Sequence, residues 1–556
     1  MFSKMSALTL SFEVSSGGGS GRSSGRSRRR AGSDKDVHRG GRKSGSVHRV
    51  QLDLGTLKHD PLRAVGIWNK IKGSVDTAEP WSLDIRRATP ETVWGLESAF
   101  MRPAQGTSPF IGAELGVGLN DLSMQHLVAV SLRSGRGFGD EGARALASAL
   151  RDAVPHLRTL NLSGNDLGPK AAEALAGALL GRRGSGDATE AMMEDENQRA
   201  GMGCALEELD LAGNHIGSEG ACVLADALVQ VGCPRLRKLD LSQNLIGARG
   251  VAALSEVLRG QALRGQAVGL GSFDGGSVHR RHRCGFALEE LSLRHNGCGD
   301  AGVRALAFAI TEAVALRRPH RSSTAAPPLD ENWDRPLCLR ALRLGFNGIT
   351  SVGAAALAAA LSAAREAAHT SLGSAAATAA VVTELDLACN SLGPEGARAV
   401  LDAAEGVEDL DLGNNGIKDD GMKWVSRALK ENTTLRRLCL AGNDVGPDGA
   451  WWIADALAVN GDLRSLDLGA NAVGDEGAKD IAEELRVNTA LHTLDLRRNG
   501  IGADGARELA EALEENESMT CVTLRGNGIP EAAARDVRNK LGLRIDVEWQ
   551  AGGRGR

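Results

Sequence analysis

The amino-acid sequence predicts an α/β solenoid, with a parallel sheet inside and helices outside, built from a repeated strand–helix unit. Three observations carry that prediction. Asparagine recurs every 28 residues at Asn415, Asn443, Asn471, Asn499 and Asn527. A Leu-x-Leu alternation such as Leu438-Cys-Leu440 precedes it, and alternation over so short a run marks a strand with one buried face. After it come a glycine and two aliphatics at helical spacing (Gly449, Ile453, Leu457). An i, i+4 pair places both aliphatics on one helix face.

The pattern extends upstream through Asn165, Asn214, Asn244, Asn296, Asn347 and Asn390. A degenerate first copy, Leu127-x-x-Val130-x-Leu132, has Gly135 where asparagine is expected, which makes twelve copies. Glycine holds the helix-start position in nine of them: Gly220, Gly250, Gly302, Gly353, Gly396, Gly421, Gly449, Gly477 and Gly505. Without a side chain there, the helix start can lie against adjoining backbone. The asparagine is expected to satisfy backbone groups in the turn leaving the strand, because a stacked loop cannot leave them to water.

These residues resemble the leucine-rich repeats of the ribonuclease-inhibitor-like subfamily, over about residues 127–545. Similar repeat regions occur in NACHT/LRR receptors and Ran GTPase-activating proteins. The resemblance implies a right-handed βα horseshoe with inner strands and outer helices. Spacing argues the same way: strands pack ~4.8 Å apart and helices ~8–10 Å, so such a stack curves toward its strands.

The unit is not uniform. Asparagine spacing grows to 49 (Asn165 to Asn214), 52 (Asn244 to Asn296), 51 (Asn296 to Asn347) and 43 (Asn347 to Asn390). The extra residues fall between helix and next strand, at about 181–204, 260–286, 317–337 and 365–380. All four are expected on one edge of the stack. They read either as a composite binding edge or as low-complexity expansion tolerated in surface loops. Between Asn390 and Asn415 the unit shrinks to 25.

Flanking segments complete the division. Residues 1–49 read as a disordered basic Ser/Gly/Arg-rich arm of net charge +8, against −13 for the remainder. Residues 50–126 read as an N-terminal cap or degenerate repeats, with a small separate module as the alternative. They hold Trp68, Trp81 and Trp94, and Val50-Gln-Leu52-Asp-Leu54 hints at a strand. The twelve repeats occupy 127–541, the last helix running from Pro530 to Leu541. Residues 542–556 supply a capping strand and tail, Leu543-x-Ile545-x-Val547-x-Trp549 being the alternating segment.

Composition narrows the function. Tyrosine is absent and aromatics are 3% of the chain, which argues against sugar or base recognition by stacking. Nine scattered cysteines without a Cys-x-x-Cys pair suit reduced thiols and a cytoplasmic setting. The arm with Arg28-Arg29-Arg30 leaves nuclear or organellar targeting open. No apolar run is long enough to span a bilayer, so no membrane partner is expected. No Gly-Lys dipeptide exists to form a Walker A loop, and Gly-x-Ser-x-Gly, His-Glu-x-x-His and EF-hand patterns are missing. His279, His282 and Cys284 read as a solvated basic loop rather than a metal site. The expectation is no catalytic residue, no cofactor and no metal.

What remains is the strand face turned from the core. Between the leucines stand Asp210, Asp240, Asp386, Asp411, Asp467 and Asp495, and two positions earlier Glu208, Glu290, Glu384 and Asp409. Stacking predicts an acidic stripe broken by Lys238, Arg294, Arg343, Arg437, Arg497 and Arg525. Its field would favour a basic protein partner and disfavour nucleic acid. The competing reading is that these aspartates mainly keep the sheet soluble. Cys439 breaks the aspartate column and reads as an inert thiol. The leading functional reading is a non-enzymatic, monomeric scaffold that binds a protein partner on the concave face. The alternative is a GTPase-activating protein of the Ran-activator type. Those proteins carry an acidic tail, whereas this sequence closes on Ala-Gly-Gly-Arg-Gly-Arg and matches no catalytic segment.

Overall fold

The computed structural model describes residues 11–15, 47–53, 81–86, 127–133, 138–153, 157–179, 205–230, 235–266, 288–316, 339–372 and 382–546. They divide into two compact units, residues 1–210 and 211–556.

The first unit contains β1 (Ser11–Ser15), β2 (Val47–Asp53), β3 (Trp81–Arg86), β4 (Leu127–Arg133), α1 (Gly139–Ala153), β5 (Thr159–Asn161), α2 (Pro169–Leu179) and β6 (Glu208–Asp210). β1 pairs antiparallel with β2, and β2 through β6 pair in parallel. Ser11–Ser15 lies within the segment read as a disordered basic arm, and its pairing with β2 extends the sheet there. The strand hinted at by Val50 and Leu52 is β2, and Trp81 opens β3. Trp68 and Trp94 lie outside the described residues. Phe138 is buried before α1, and a side chain at Gly142 would meet its ring at 2.9 Å.

The second unit alternates helices and strands: α3 (Gly217–Gln230), β7 (Lys238–Asp240), α4 (Gly247–Gln266), β8 (Glu290–Ser292), α5 (Gly299–Leu316), β9 (Ala341–Arg343) and α6 (Ser351–Leu372). It continues through β10 (Glu384–Asp386), α7 (Gly393–Asp402), β11 (Asp409–Asp411), α8 (Lys418–Glu431), β12 (Arg437–Cys439), α9 (Pro447–Leu457) and β13 (Ser465–Asp467). It closes with α10 (Gly474–Leu485), β14 (Thr493–Asp495), α11 (Ala503–Glu515), β15 (Cys521–Thr523), α12 (Glu531–Leu541) and β16 (Ile545–Asp546). Strands β7 to β16 pair in parallel and in sequence order.

The register follows from the leucines. Leu385, Leu410, Leu438, Leu466, Leu494 and Val522 stand opposite one another on successive strands. They are buried together with Leu440, Leu468, Leu496 and the helix aliphatics Ile453, Leu457, Ile481 and Leu485. A one-residue slip would turn each leucine to solvent, so the apolar pattern fixes the pairing.

Two asparagine ladders tie successive repeats. Asn443, fully buried, donates through Nδ2 to the carbonyls of Leu412 (3.0 Å) and Leu440 (2.9 Å). Its Oδ1 accepts the backbone N–H groups of Asn415 (2.9 Å) and Ile417 (3.3 Å) one repeat back. Both carbonyls and both N–H groups are thereby satisfied, as the sequence pattern requires. Long repeats keep the arrangement: Asn296 Oδ1 accepts Asn244 N–H at 3.0 Å, although 52 residues separate them. A second ladder runs along the helix side. Asn460, Asn488 and Asn516, at the C-terminal ends of helices, donate to Leu429 (2.6 Å), Leu457 (2.7 Å) and Leu485 (2.5 Å). Their Oδ1 atoms accept the N–H groups that lead into the next strand, as Asn488 does from Ala490 and Leu491.

Helix starts are fastened across repeats too. Asp419 Oδ1 accepts Gly446 N–H (2.6 Å) and Gly449 N–H (3.1 Å), and Asp475 does the same for Gly502 and Gly505. Each carboxylate thus caps the helix of the following repeat, where the macrodipole favours a negative charge. The glycine at the helix start is a packing requirement. A Cβ on Gly477 would stand 2.6 Å from Ala450 Cβ and 3.3 Å from Pro447 Cα, both on the preceding helix.

The long repeats correct one expectation. The residues taken as insertion from 260 and 365 begin as helix, because α4 runs on to Gln266 and α6 to Leu372. Those segments are dominated by helix formers, so the preceding helix propagates into them. Residues 267–287, 317–338, 373–381 and the expected insertion 181–204 lie outside the described residues. The short repeat loses residues from both parts: α7 has 10 residues against 12 in α10, and its return to the next strand is shorter as well. At the C-terminal end of the described residues, β16 pairs in parallel with β15. Val547 and Trp549 lie outside the described residues.

Candidate functional site

The strand face opposite the leucines carries the first and third residues of every strand. Pairing in register turns them into two columns. In the second unit the first column runs Lys238, Glu290, Ala341, Glu384, Asp409, Arg437, Ser465, Thr493, Cys521. The third-residue column runs Asp240, Ser292, Arg343, Asp386, Asp411, Cys439, Asp467, Asp495, Thr523, Asp546. In the first unit, Glu208 and Asp210 belong to β6 in register with Thr159 and Asn161. There Asn161 Nδ2 donates to Asp210 Oδ2 at 2.6 Å.

The columns form as expected, but their charge is largely cancelled internally. Lys238 lies 3.0 Å from Glu290, and Arg343 spans Glu290 (3.5 Å) and Glu384 (3.0 Å). Arg437 reaches Asp409 at 2.7 Å. Arg497 bridges Asp467 (3.3 Å) and Asp495 (2.8 Å), and Arg525 meets Asp546 at 2.7 Å. The stripe is therefore an interleaved ion-pair ladder rather than an open acidic field. Asp546 belongs to it and is missed by a search for Leu-Asp-Leu, since Ile545 precedes it in a strand of two residues.

Asp386 departs furthest from expectation. It is 9% exposed rather than facing solvent. Arg294 Nε stands 2.8 Å from its Oδ2, out of line for donation, so that oxygen is buried with an ionic neighbour and no hydrogen bond. Burial pushes the Asp386 carboxyl up, partly offset by the Ala388 N–H and Arg294. Burial also raises Asp495, against the opposing pull of the Arg497 N–H.

Asp411 and Asp240 differ from the rest. Asp411 accepts the Gly413 N–H at 2.9 Å, and Asp240 the Ser242 N–H at 2.9 Å. Neither has a cation within 4.0 Å among the described residues. Cys439 sits beside Asp411 in the next strand. Its thiol is pushed up to about 12, chiefly by burial and further by Asp411 and Asp467, which makes it inert as a nucleophile at neutral pH. At the turn leaving β9, Phe346 is 47% exposed in a left-handed conformation (φ 58°). Its ring centroid lies 5.5 Å from that of His295. The position preceding each ladder asparagine could have revealed this pair. His279, His282 and Cys284 lie outside the described residues, and no group of three metal-ligating side chains occurs among those described.

Sheet, helices and ladder define a leucine-rich-repeat protein, and the family comparison agrees. Eleven stretches match the family described as Leucine Rich repeat: 123–147, 155–176, 204–225, 232–255, 287–307, 336–358, 380–401, 407–423, 431–450, 459–482 and 487–510. The twelfth copy, around Asn527, is folded like the others but falls outside these matches. Within the family the chain is similar in its repeats to a ribonuclease inhibitor. It is 29% identical over 308 residues to the ribonuclease inhibitor of Sus scrofa, covering 49% of this chain and 54% of that protein's length. The chain thus spans about half of that relative. Among solved structures, the yeast Rad7 and Elc1 complex matches at 14% identity and TM-score 0.41, covering 88% of this chain and 93% of that one. An internalin of Listeria monocytogenes matches at 14% identity and TM-score 0.36, covering 77% and 89%.

Proposed function

We propose that the protein is a non-enzymatic scaffold that holds a protein partner on the strand face of its second unit, with a basic group of the partner directed at Asp411. One observation carries the reading. In a ladder whose other carboxylates are mostly ion-paired, Asp411 is half-exposed and has no cation beside it among the described residues. Charges already paired contribute little to binding, whereas a fixed, partly desolvated carboxylate rewards a complementary cation. The similarity to an inhibitor that acts by binding a protein supports the scaffold part of the reading.

Reversing Asp411, Asp467 and Asp495 to Lys and comparing captured partners at low and high salt tests it. The expected result is a partner held by the wild type at low salt, weakened at high salt, and lost from the reversed protein. Unchanged capture by the reversed protein would exclude this face. The GTPase-activating alternative finds no support in the comparisons. Acceleration of single-turnover GTP hydrolysis by a Ran-type GTPase would revive it.

A further inference from the structure

The strand face cancels its own charge, but the outer face of α9 and α10 does not. The two helices together carry seven carboxylates and one lysine, Lys479. Asp448, Glu476, Asp480 and Glu483 have no cation within 4.0 Å among the described residues. Burial, Glu483 and Glu476 together push the Asp480 carboxyl up, a sign of repulsion that nothing nearby relieves. On α9, one turn from Asp448, Trp451 is 49% exposed, in a chain only 3% aromatic.

The 28-residue register shows what Trp451 replaces. The same helix position holds Lys423, Lys479 and Arg507 in the neighbouring regular repeats. In one of these, Arg507 pairs with Asp504 three residues earlier at 3.1 Å. In the Trp451 repeat the corresponding acid, Asp448, has lost that cation. The same surface also shows how a cation and an indole combine. Arg398 lies 4.2 Å from the ring centroid of Trp424, with Lys423 at 5.3 Å. Among the described residues no cation covers the Trp451 ring; Trp452 meets it edge-on at 4.8 Å.

We propose that the outer face of α9 and α10 is a second docking surface, which takes an arginine-rich segment of a partner protein. Trp451 stacks one guanidinium, and Asp448, Asp480 and Glu483 pair with its neighbours. A guanidinium suits the site better than an ammonium, because it stacks on the indole face while its N–H groups still reach carboxylates.

The test is fluorescence anisotropy of a labelled nona-arginine peptide titrated with the full chain. Trp451→Lys restores the residue type of the flanking repeats, so folding is expected to be unaffected, with circular dichroism as the check. It should weaken binding about tenfold. Asp480→Lys with Glu483→Lys should weaken it similarly, and nona-lysine should bind less tightly than nona-arginine. Asp467→Lys on the strand face should leave peptide binding unchanged, which separates this surface from the one proposed above. No binding by the wild type, equal affinity in Trp451→Lys, or loss in Asp467→Lys alone would each overturn the proposal. Trp451→Ala serves as the second variant if the lysine perturbs the helix.

Discussion

Two regions of the second unit solve the same packing problem with different numbers of fasteners. In the regular repeats, from Asn415 onward, consecutive strands are tied by the strand-side ladder and helix ends by the second ladder of Asn460, Asn488 and Asn516. In the long repeats around Asn244, Asn296 and Asn347, the strand-side ladder continues while spacing stretches to 52 residues. No rung of the second ladder is made there among the described residues; helices of 18 to 22 residues take its place. The strand-side ladder is thus what defines a repeat, and the helix-side ladder is an option open only to short returns. Length is free wherever the chain owes no hydrogen bond to the next unit.

Substitutions can break or sharpen this comparison. The largest effect should come from Asn443→Ala, which strips five hydrogen bonds from a fully buried site and orphans two N–H groups of the preceding repeat. A loss of about 3–4 kcal/mol is expected, read as a lowered midpoint in urea unfolding. Asn296→Ala should cost about as much, because the rung is the same in a long repeat; a much smaller cost would contradict the comparison. Gly477→Val should follow at about 2–3 kcal/mol, since its side chain would drive α10 away from Ala450 and Pro447. Asn488→Ala should cost about 2 kcal/mol, less than the strand-side rung, because water can replace part of its bonding at the end of a helix.

The smallest effect is electrostatic. Asp300 caps the helix start of the next repeat, accepting Thr350 N–H (2.8 Å), Thr350 Oγ1–H (2.6 Å) and Gly353 N–H (3.0 Å). Burial alone would raise its carboxyl, but these bonds and Arg304 outweigh it and hold the group below its ordinary value. A carboxylate held low in the folded state stabilises it above the unfolded-state value, and that stability is lost as pH falls through the folded one. Asp300→Asn should therefore cost about 1 kcal/mol at neutral pH. The gap to wild type should close below about pH 4, measured by unfolding across pH.

Much of this was legible in the sequence. Strands, strand-side asparagines, helix-start glycines and the two charge columns all follow from residues repeating at one spacing. The second ladder obeys the same spacing at Asn432, Asn460, Asn488 and Asn516. It is not legible in the sequence because asparagine near a helix end resembles an ordinary polar surface residue. The burial of Asp386 could not be read at all. It depends on Arg294, 92 residues earlier and two strands away, which only the folded sheet brings beside it. The exposed ring of Trp451 was equally hidden, because one aromatic in a column of cations stands out only after the helices are aligned.

Arg544 gives the second ladder a direction. Counted in 28-residue steps from Asn516, it stands where the next asparagine would be, and it donates to the carbonyls of Asn516 and Met519. An asparagine is bivalent in this setting, giving hydrogen bonds backward and accepting them from the return that follows. Arginine has donors only. Arg544 therefore completes the repeat before it while offering no acceptor to anything beyond, like a chain-terminating monomer in a growing polymer. Replacing it with asparagine would restore the second valence and leave the last rung open to a further unit.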